Sequence, residues 1–172
     1  KGACDGFSET KYGQGLLPID HYKETVDSVT DTSLKMDWEA LREQVKRYGM
    51  RNSTLSAQMP SESSSVVCNA TNGIEPPRDY LSVKKSKKGT LKQIVPSYNA
   101  LKNNYTLLWD MPNMEGYLNV MAVIQKFFDQ SISTNTSYNP QKFDGQEVPA
   151  SVLVGDLLKA YQLGIKTLYY QN

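Results

Sequence analysis

The stretch MRNSTLSAQMPSESSSVVCNATNGIEPPR, residues 50–78, decides the reading of this chain. It opens as a strand over 52–58, turns at Met59-Pro60 and passes through a run of small hydroxyls. A short helix to about Asn72 follows, and Pro76-Pro77 forbids any continuation. A hydroxyl-rich turn between a strand and a helix suits phosphate. The first N–H groups of a helix lack intrahelical partners, and the helix dipole adds partial positive charge there. Ser61, Ser63, Ser64 and Ser65 can add hydroxyl donors to the same anion. The same residues equally spell an ordinary helix start with Ser61 as its cap, and on their own they leave the two readings level.

Working outward, residues 1–19 are turn-rich and aperiodic, and Asp20 reads as the cap of a short helix to about Val29. Asp37 caps a clearer one, with Trp38, Leu41 and Val45 at helical spacing and Gly49 at its end. Tyr80–Val83 and Thr90–Val95 read as a β-hairpin around a lysine turn. Ser97 opens a helix through Leu108, and Glu115 opens another to Asp129 with Leu118, Met121, Ile124, Gln125 and Phe128 on its faces. Residues 130–136 form a strand, Pro149 starts a helix that Gly164 ends, and 166–170 form the last strand. Strands at 52–58, 130–136 and 166–170 thus alternate with helices, which predicts an α/β fold with parallel pairing. Three such strands alone leave an open sheet edge.

Composition bounds the partners. With 39% hydrophobic and 22% charged residues and a net charge of +1, the balance gives no reason to expect a nucleic-acid or membrane surface. No apolar run approaches the ~20 residues that span a bilayer, and no signal-peptide pattern opens the chain. Lys84, Lys85, Lys87 and Lys88 beside Gly89 read as a solvated turn. Cys4 and Cys68 make no disulfide framework, and neither has metal-site spacing. Cys68, beside Val66 and Val67, reads as a buried small residue rather than a nucleophile, and the lone His21 falls in a predicted helix. Sequons at Asn52, Asn69, Asn104 and Asn135 read as chance matches in an Asn/Ser/Thr-rich chain, and a cytoplasmic setting is expected.

The segment 50–78, LLPID at 16–20 and the terminal GIKTLYYQN together resemble the C-terminal part of the large, catalytic subunit of class I ribonucleotide reductase. The resemblance runs over essentially all 172 residues. It implies the last strands and helices of a ten-stranded α/β barrel with one hairpin excursion, so that residues 1–172 form one incomplete domain. It also implies a reductase of ribonucleoside diphosphates, serving deoxyribonucleotide synthesis with a thioredoxin- or glutaredoxin-type reductant. By this resemblance Ser61, Glu62, Ser63 and Ser64 hold the substrate diphosphate. Tyr169 and Tyr170 pass an oxidising equivalent from the small subunit's radical towards an active-site cysteine. In isolation an adjacent tyrosine pair at a strand end reads as one buried and one exposed ring.

The implied partners are the N-terminal remainder of the large subunit, the small radical-generating subunit and the diphosphate substrate, with no membrane and no direct nucleic acid. No cofactor is expected on this segment; the parent would use the radical of a metal-containing small subunit and ATP, dATP or dNTP effectors. The family's Asn-x-Cys-x-Glu finger loop is not found in these residues, and Cys4 and Cys68 match no redox-pair motif. The start at Lys1 and the stop at Asn172 read as a piece of a longer chain, a fragment or a split-gene half, inactive by itself. The alternatives are a stand-alone phosphate- or nucleotide-binding module and, from the sequons, a secreted adhesion domain. The first lacks partner strands, and the predicted helices oppose the second.

Overall fold

The computed structural model describes residues 2–31, 33–87 and 89–172. In chain order the regular elements are α1 (Trp38–Tyr48), α2 (Glu62–Val67), β1 (Leu81–Ser86), β2 (Gly89–Ile94) and α3 (Tyr98–Leu101). They continue as α4 (Glu115–Gln125), β3 (Thr134–Thr136), α5 (Ala150–Gln162) and β4 (Leu168–Gln171). Short 3-10 turns fill much of the rest. Among the described residues no helix is long and apolar enough to cross a membrane. The chain forms two compact units: Lys1–Gln58, Leu118–Ile132 and Leu157–Thr167 in one, Met59–Tyr117, Ser133–Asp156 and Leu168–Asn172 in the other.

In the first unit, α1 follows its sequence signals. Asp37 accepts the Ala40 N–H at 2.9 Å, and Gly49 closes the helix by donating to Val45 O at 2.9 Å with a φ of 69° that disfavours any side chain. Val45 on its inner face packs with Tyr12 and Leu17, while Val26, Ala122 and Leu163 form a second cluster. The predicted helix from Asp20 to Val29 is instead a 3-10 turn over Glu24–Ser28. The Asp20 carboxylate is engaged elsewhere: it accepts the Leu17 N–H at 2.6 Å and the Arg42 guanidinium at 2.5 and 2.8 Å. His21 therefore ends the 3-10 turn Pro18–Asp20 rather than lying in a helix.

Residues 52–58 make a narrower pairing than predicted. Gln130 N–H donates to Ser56 O at 3.0 Å, Gln58 N–H to Ser131 O at 3.1 Å, and Gln58 bridges Ile132 in parallel. Below this point the Asp129 carboxylate replaces a strand partner. It accepts the N–H groups of Leu55 (2.6 Å) and Ser56 (2.9 Å) and the buried Tyr12 hydroxyl (2.7 Å). The predicted helix to Asp129 stops at Gln125 because that side chain turns onto the next loop. Its Nε2 donates to Gln130 O at 2.8 Å, and its Oε1 accepts the Ile132 N–H at 3.2 Å.

The second unit holds the antiparallel hairpin β1–β2, in register from Leu81↔Ile94 to Ser86↔Gly89, and the parallel pair β3–β4. Of the lysine cluster, Lys88 lies outside the described residues. The predicted helix from Ser97 to Leu108 breaks after Leu101 into a 3-10 turn at Lys102–Asn104. Ser97 takes a left-handed φ of 52° without capping, and the Leu108 N–H is drawn to Pro77 O at 2.9 Å. Parallel pairing between helices, as the sequence pattern requires, is present in β3–β4.

Candidate functional site

One open cleft of about 840 Å³ lies within the second unit. It is lined by Ser61, Glu62, Ser63 and Ser64 and by Tyr169 and Tyr170, so all six residues singled out from sequence meet in one place. More than a hundred positions separate the two stretches along the chain.

The hydroxyl side is built by α2. Ser65 N–H is the first to bond back into the helix, to Ser61 O at 2.7 Å, so the N–H groups of Glu62, Ser63 and Ser64 precede the first helical rung. The Ser61 side chain makes no capping bond. Its own N–H donates to Asn72 O at 2.8 Å, which ties the two ends of the loop. Gln93 Nε2 fastens the helix's far end by donating to Ser65 O (3.3 Å) and Ala70 O (3.2 Å). The helix is shorter than predicted because Asn69 adopts a left-handed φ of 52° directly after Cys68. Two expectations are corrected here. Ser65 is buried with its hydroxyl on Glu62 O at 3.2 Å and so offers nothing to the cleft, and Cys68 is a free, exposed thiol rather than a buried residue.

The tyrosine side is built by β4. The ring centroids of Tyr169 and Tyr170 stand 4.3 Å apart at 61°, edge to face. Both side chains are more than half exposed, at 52% and 58%, where strict strand alternation would bury one of them. The register supplies the reason. Thr134 pairs with Leu168 and Thr136 with Gln171, so three steps on β4 face two on β3 and the strand bulges at the tyrosines. A bulge inserts one residue and re-aims side chains.

The electrostatics are mixed. Glu62 and Glu75 bring carboxylates and Arg78 brings a guanidinium, and all three line the cleft. The Tyr169 phenol is held above the ordinary tyrosine range, first by its hydrogen bond to Tyr170 and in smaller part by the Glu62 carboxylate. Glu62 thus acts electrostatically on Tyr169 as well as bordering the hydroxyl loop. Among the described residues no cluster of three or more His, Cys, Asp or Glu is arranged to hold a metal ion. Sequence reasoning missed Asn72, Glu75 and Arg78, which sit inside the quoted stretch, and Asn135, which signalled itself only as a sequon.

The family model for the ribonucleotide reductase barrel domain matches residues 1–104 and 95–171. The chain belongs to the ribonucleotide reductase barrel-domain family. It is 59% identical over 172 residues to the ribonucleoside-diphosphate reductase subunit alpha of Buchnera aphidicola subsp. Baizongia pistaciae, covering all of this chain and 23% of that protein. To the ribonucleoside-diphosphate reductase 1 subunit alpha of Escherichia coli K12 it is 57% identical over 172 residues, again 100% of this chain and 23% of the relative. The subunit alpha of Enterobacteria phage T4 is 44% identical over 174 residues, with the same 100% and 23% coverage. The chain therefore spans about a quarter of the length of the reductase subunits it matches. Its elements are those of part of an α/β barrel.

Proposed function

We propose that this chain is the part of a ribonucleoside-diphosphate reductase alpha subunit that holds the substrate diphosphate and relays the radical. The observation that carries the reading is the shared cleft, in which the hydroxyl loop and the tyrosine pair face one space. Family membership supplies the chemistry to which such a space belongs.

On this reading Ser61, Ser63 and Ser64 offer hydroxyls, the first turn of α2 offers N–H groups including that of Glu62, and Arg78 adds a positive charge on the rim. Backbone donors fixed by a helix need no reorganisation when an anion arrives. Tyr169 and Tyr170 act as a hydrogen-atom relay. A phenol is protonated at neutral pH, with a reference pKa of ~10. When one ring carries an oxyl radical, the neighbouring O–H breaks and its electron and proton move together to re-form O–H on the first. One phenol is oxidised and its like is reduced, so no net charge moves and the step is close to thermoneutral. The radical source belongs to the small subunit and the active-site cysteine and effector sites to the rest of the parent protein, with a separate thioredoxin- or glutaredoxin-type reductant.

The test mixes this chain with the remaining part of an alpha subunit and the radical-supplying subunit, then assays reduction of a ribonucleoside diphosphate. Reduction in the complete mixture alone is expected. Turnover by the isolated chain would overturn the assignment, because these residues carry no Asn-x-Cys-x-Glu loop.

A further inference from the structure

We propose that Asn135 is a positioning residue for the Tyr169–Tyr170 pair, its carboxamide holding the β-bulge that turns both rings into the cleft. The inference rests on the relay reading above and adds a residue to it.

Bulging β4 by one residue leaves a main-chain donor out of step with β3. That donor is the Tyr170 N–H, and it is met by a side chain: Asn135 Oδ1 accepts it at 3.2 Å. The other end of the same carboxamide is also held, with Nδ2 donating to Glu75 Oε2 at 3.4 Å. The Asn135 main-chain N–H is fixed in turn on the hydroxyl of the buried Tyr117 at 3.3 Å. One residue further along, main-chain pairing resumes, with Asn172 N–H on Thr136 O and Tyr138 N–H on Asn172 O, both at 2.9 Å. Asn135 therefore bridges the one step at which the strands disagree.

The residue type fits the task. A short side chain must accept from an N–H at one end and donate to a carboxylate at the other. An amide does so with two separate atoms, whereas an ionised carboxylate has no donor and a hydroxyl has one oxygen for both bonds. An aspartate at 135 would keep the acceptor but turn a second anion on Glu75. Without the clamp the bulge can migrate by one position. Because strand side chains alternate with a period of two, such a slip carries one tyrosine to the opposite face. Displacements of ~1 Å in a reacting geometry cost roughly 100-fold in rate.

The experiment uses the full-length alpha subunit with its radical-supplying partner. It compares Asn135→Ala, Asn135→Asp, the double variant Asn135→Asp/Glu75→Gln, and Tyr170→Phe as reference. For Asn135→Ala and Asn135→Asp, kcat is expected to fall about tenfold or more with KM within about twofold, and amide exchange at Tyr170 to accelerate about tenfold. In the double variant the Gln amide donates to the Asp carboxylate, reversing the polarity of the bond, and most of the lost kcat should return. Should Asn135→Ala fail to fold, the isosteric Asn135→Asp and its rescue decide. Native kcat in the Asn135 variants alongside an inactive Tyr170→Phe would overturn the clamp and leave the relay standing. Native turnover by Tyr170→Phe would overturn the relay itself, and the clamp with it.

Discussion

Asp129 is the most informative place to perturb the first unit. Its carboxylate takes the Leu55 N–H at 2.6 Å, the Ser56 N–H at 2.9 Å, the Ser56 hydroxyl at 3.2 Å and the Tyr12 hydroxyl at 2.7 Å. Burial opposes its charge, but these donors outweigh that and hold it below the usual carboxylate range. Replacing it with alanine strands donors of unequal consequence. Leu55 is exposed, so water replaces its partner at almost no cost. The Ser56 N–H is part-buried and loses about 0.5–1.5 kcal/mol. Tyr12 is only 5% exposed, and its orphaned hydroxyl costs about 1–3 kcal/mol. Asp129→Ala should therefore destabilise the unit by roughly 2–4 kcal/mol. Tyr12→Phe, which removes a donor but leaves the carboxylate three others, should cost only about 1 kcal/mol. The double variant should fall short of the sum by about 1 kcal/mol, since no hydroxyl is then left stranded. Urea unfolding can be followed by Trp38 fluorescence in a Trp109→Phe background, because Trp38 stacks on Phe127 at 6.1 Å in the same unit. An Asp129→Ala loss under about 0.5 kcal/mol, or a strictly additive double variant, would refute the reasoning.

Replacing Ser63 and Ser64 together by Ala should raise KM for the diphosphate about three- to tenfold with kcat little changed, because the backbone donors of α2 remain; steady-state kinetics of the full subunit would show it. Asp20 lies below its ordinary pKa of 3.8 chiefly through its hydrogen bond from Arg42, so its contribution is present above that value and is lost as pH falls through the lower folded one. Asp20→Asn should thus cost about 1 kcal/mol at neutral pH, allowing for partial exposure, and progressively less as pH falls below the ordinary value of 3.8, as thermal melts across that range would report. Tyr170→Phe removes the first cause of the raised Tyr169 pKa, so absorbance titration should show the Tyr169 phenol ionising at lower pH than in the native pair.

Where the chain obeys local rules, its sequence was readable. Asp37, Gly49, Pro149 and Gly164 each mark a helix boundary through capping, fixed φ or left-handed φ, and the elements stop where these residues say. Local rules failed where a side chain was claimed by a distant partner. Asp20 could not cap a helix because Arg42, 22 positions on, holds it. The strand at 52–58 is narrow because Asp129 takes two of its donors. The six candidate site residues were legible through family-like stretches, but their meeting in one cleft was not, and Asn135 was invisible except as a sequon. A register shift between β3 and β4 leaves no trace in residue types, because it depends on which partner each backbone group finds.

The most direct test of the central claim is turnover and substrate affinity of Tyr169→Phe and Tyr170→Phe in the complete reductase. Phenylalanine keeps the ring packing at 4.3 Å but has no O–H to give or take. The account predicts loss of deoxynucleotide formation in both variants with the dissociation constant for the diphosphate within about twofold of native. Native turnover in either variant would show that the hydrogen atom does not pass through that phenol, and the relay would have to be abandoned.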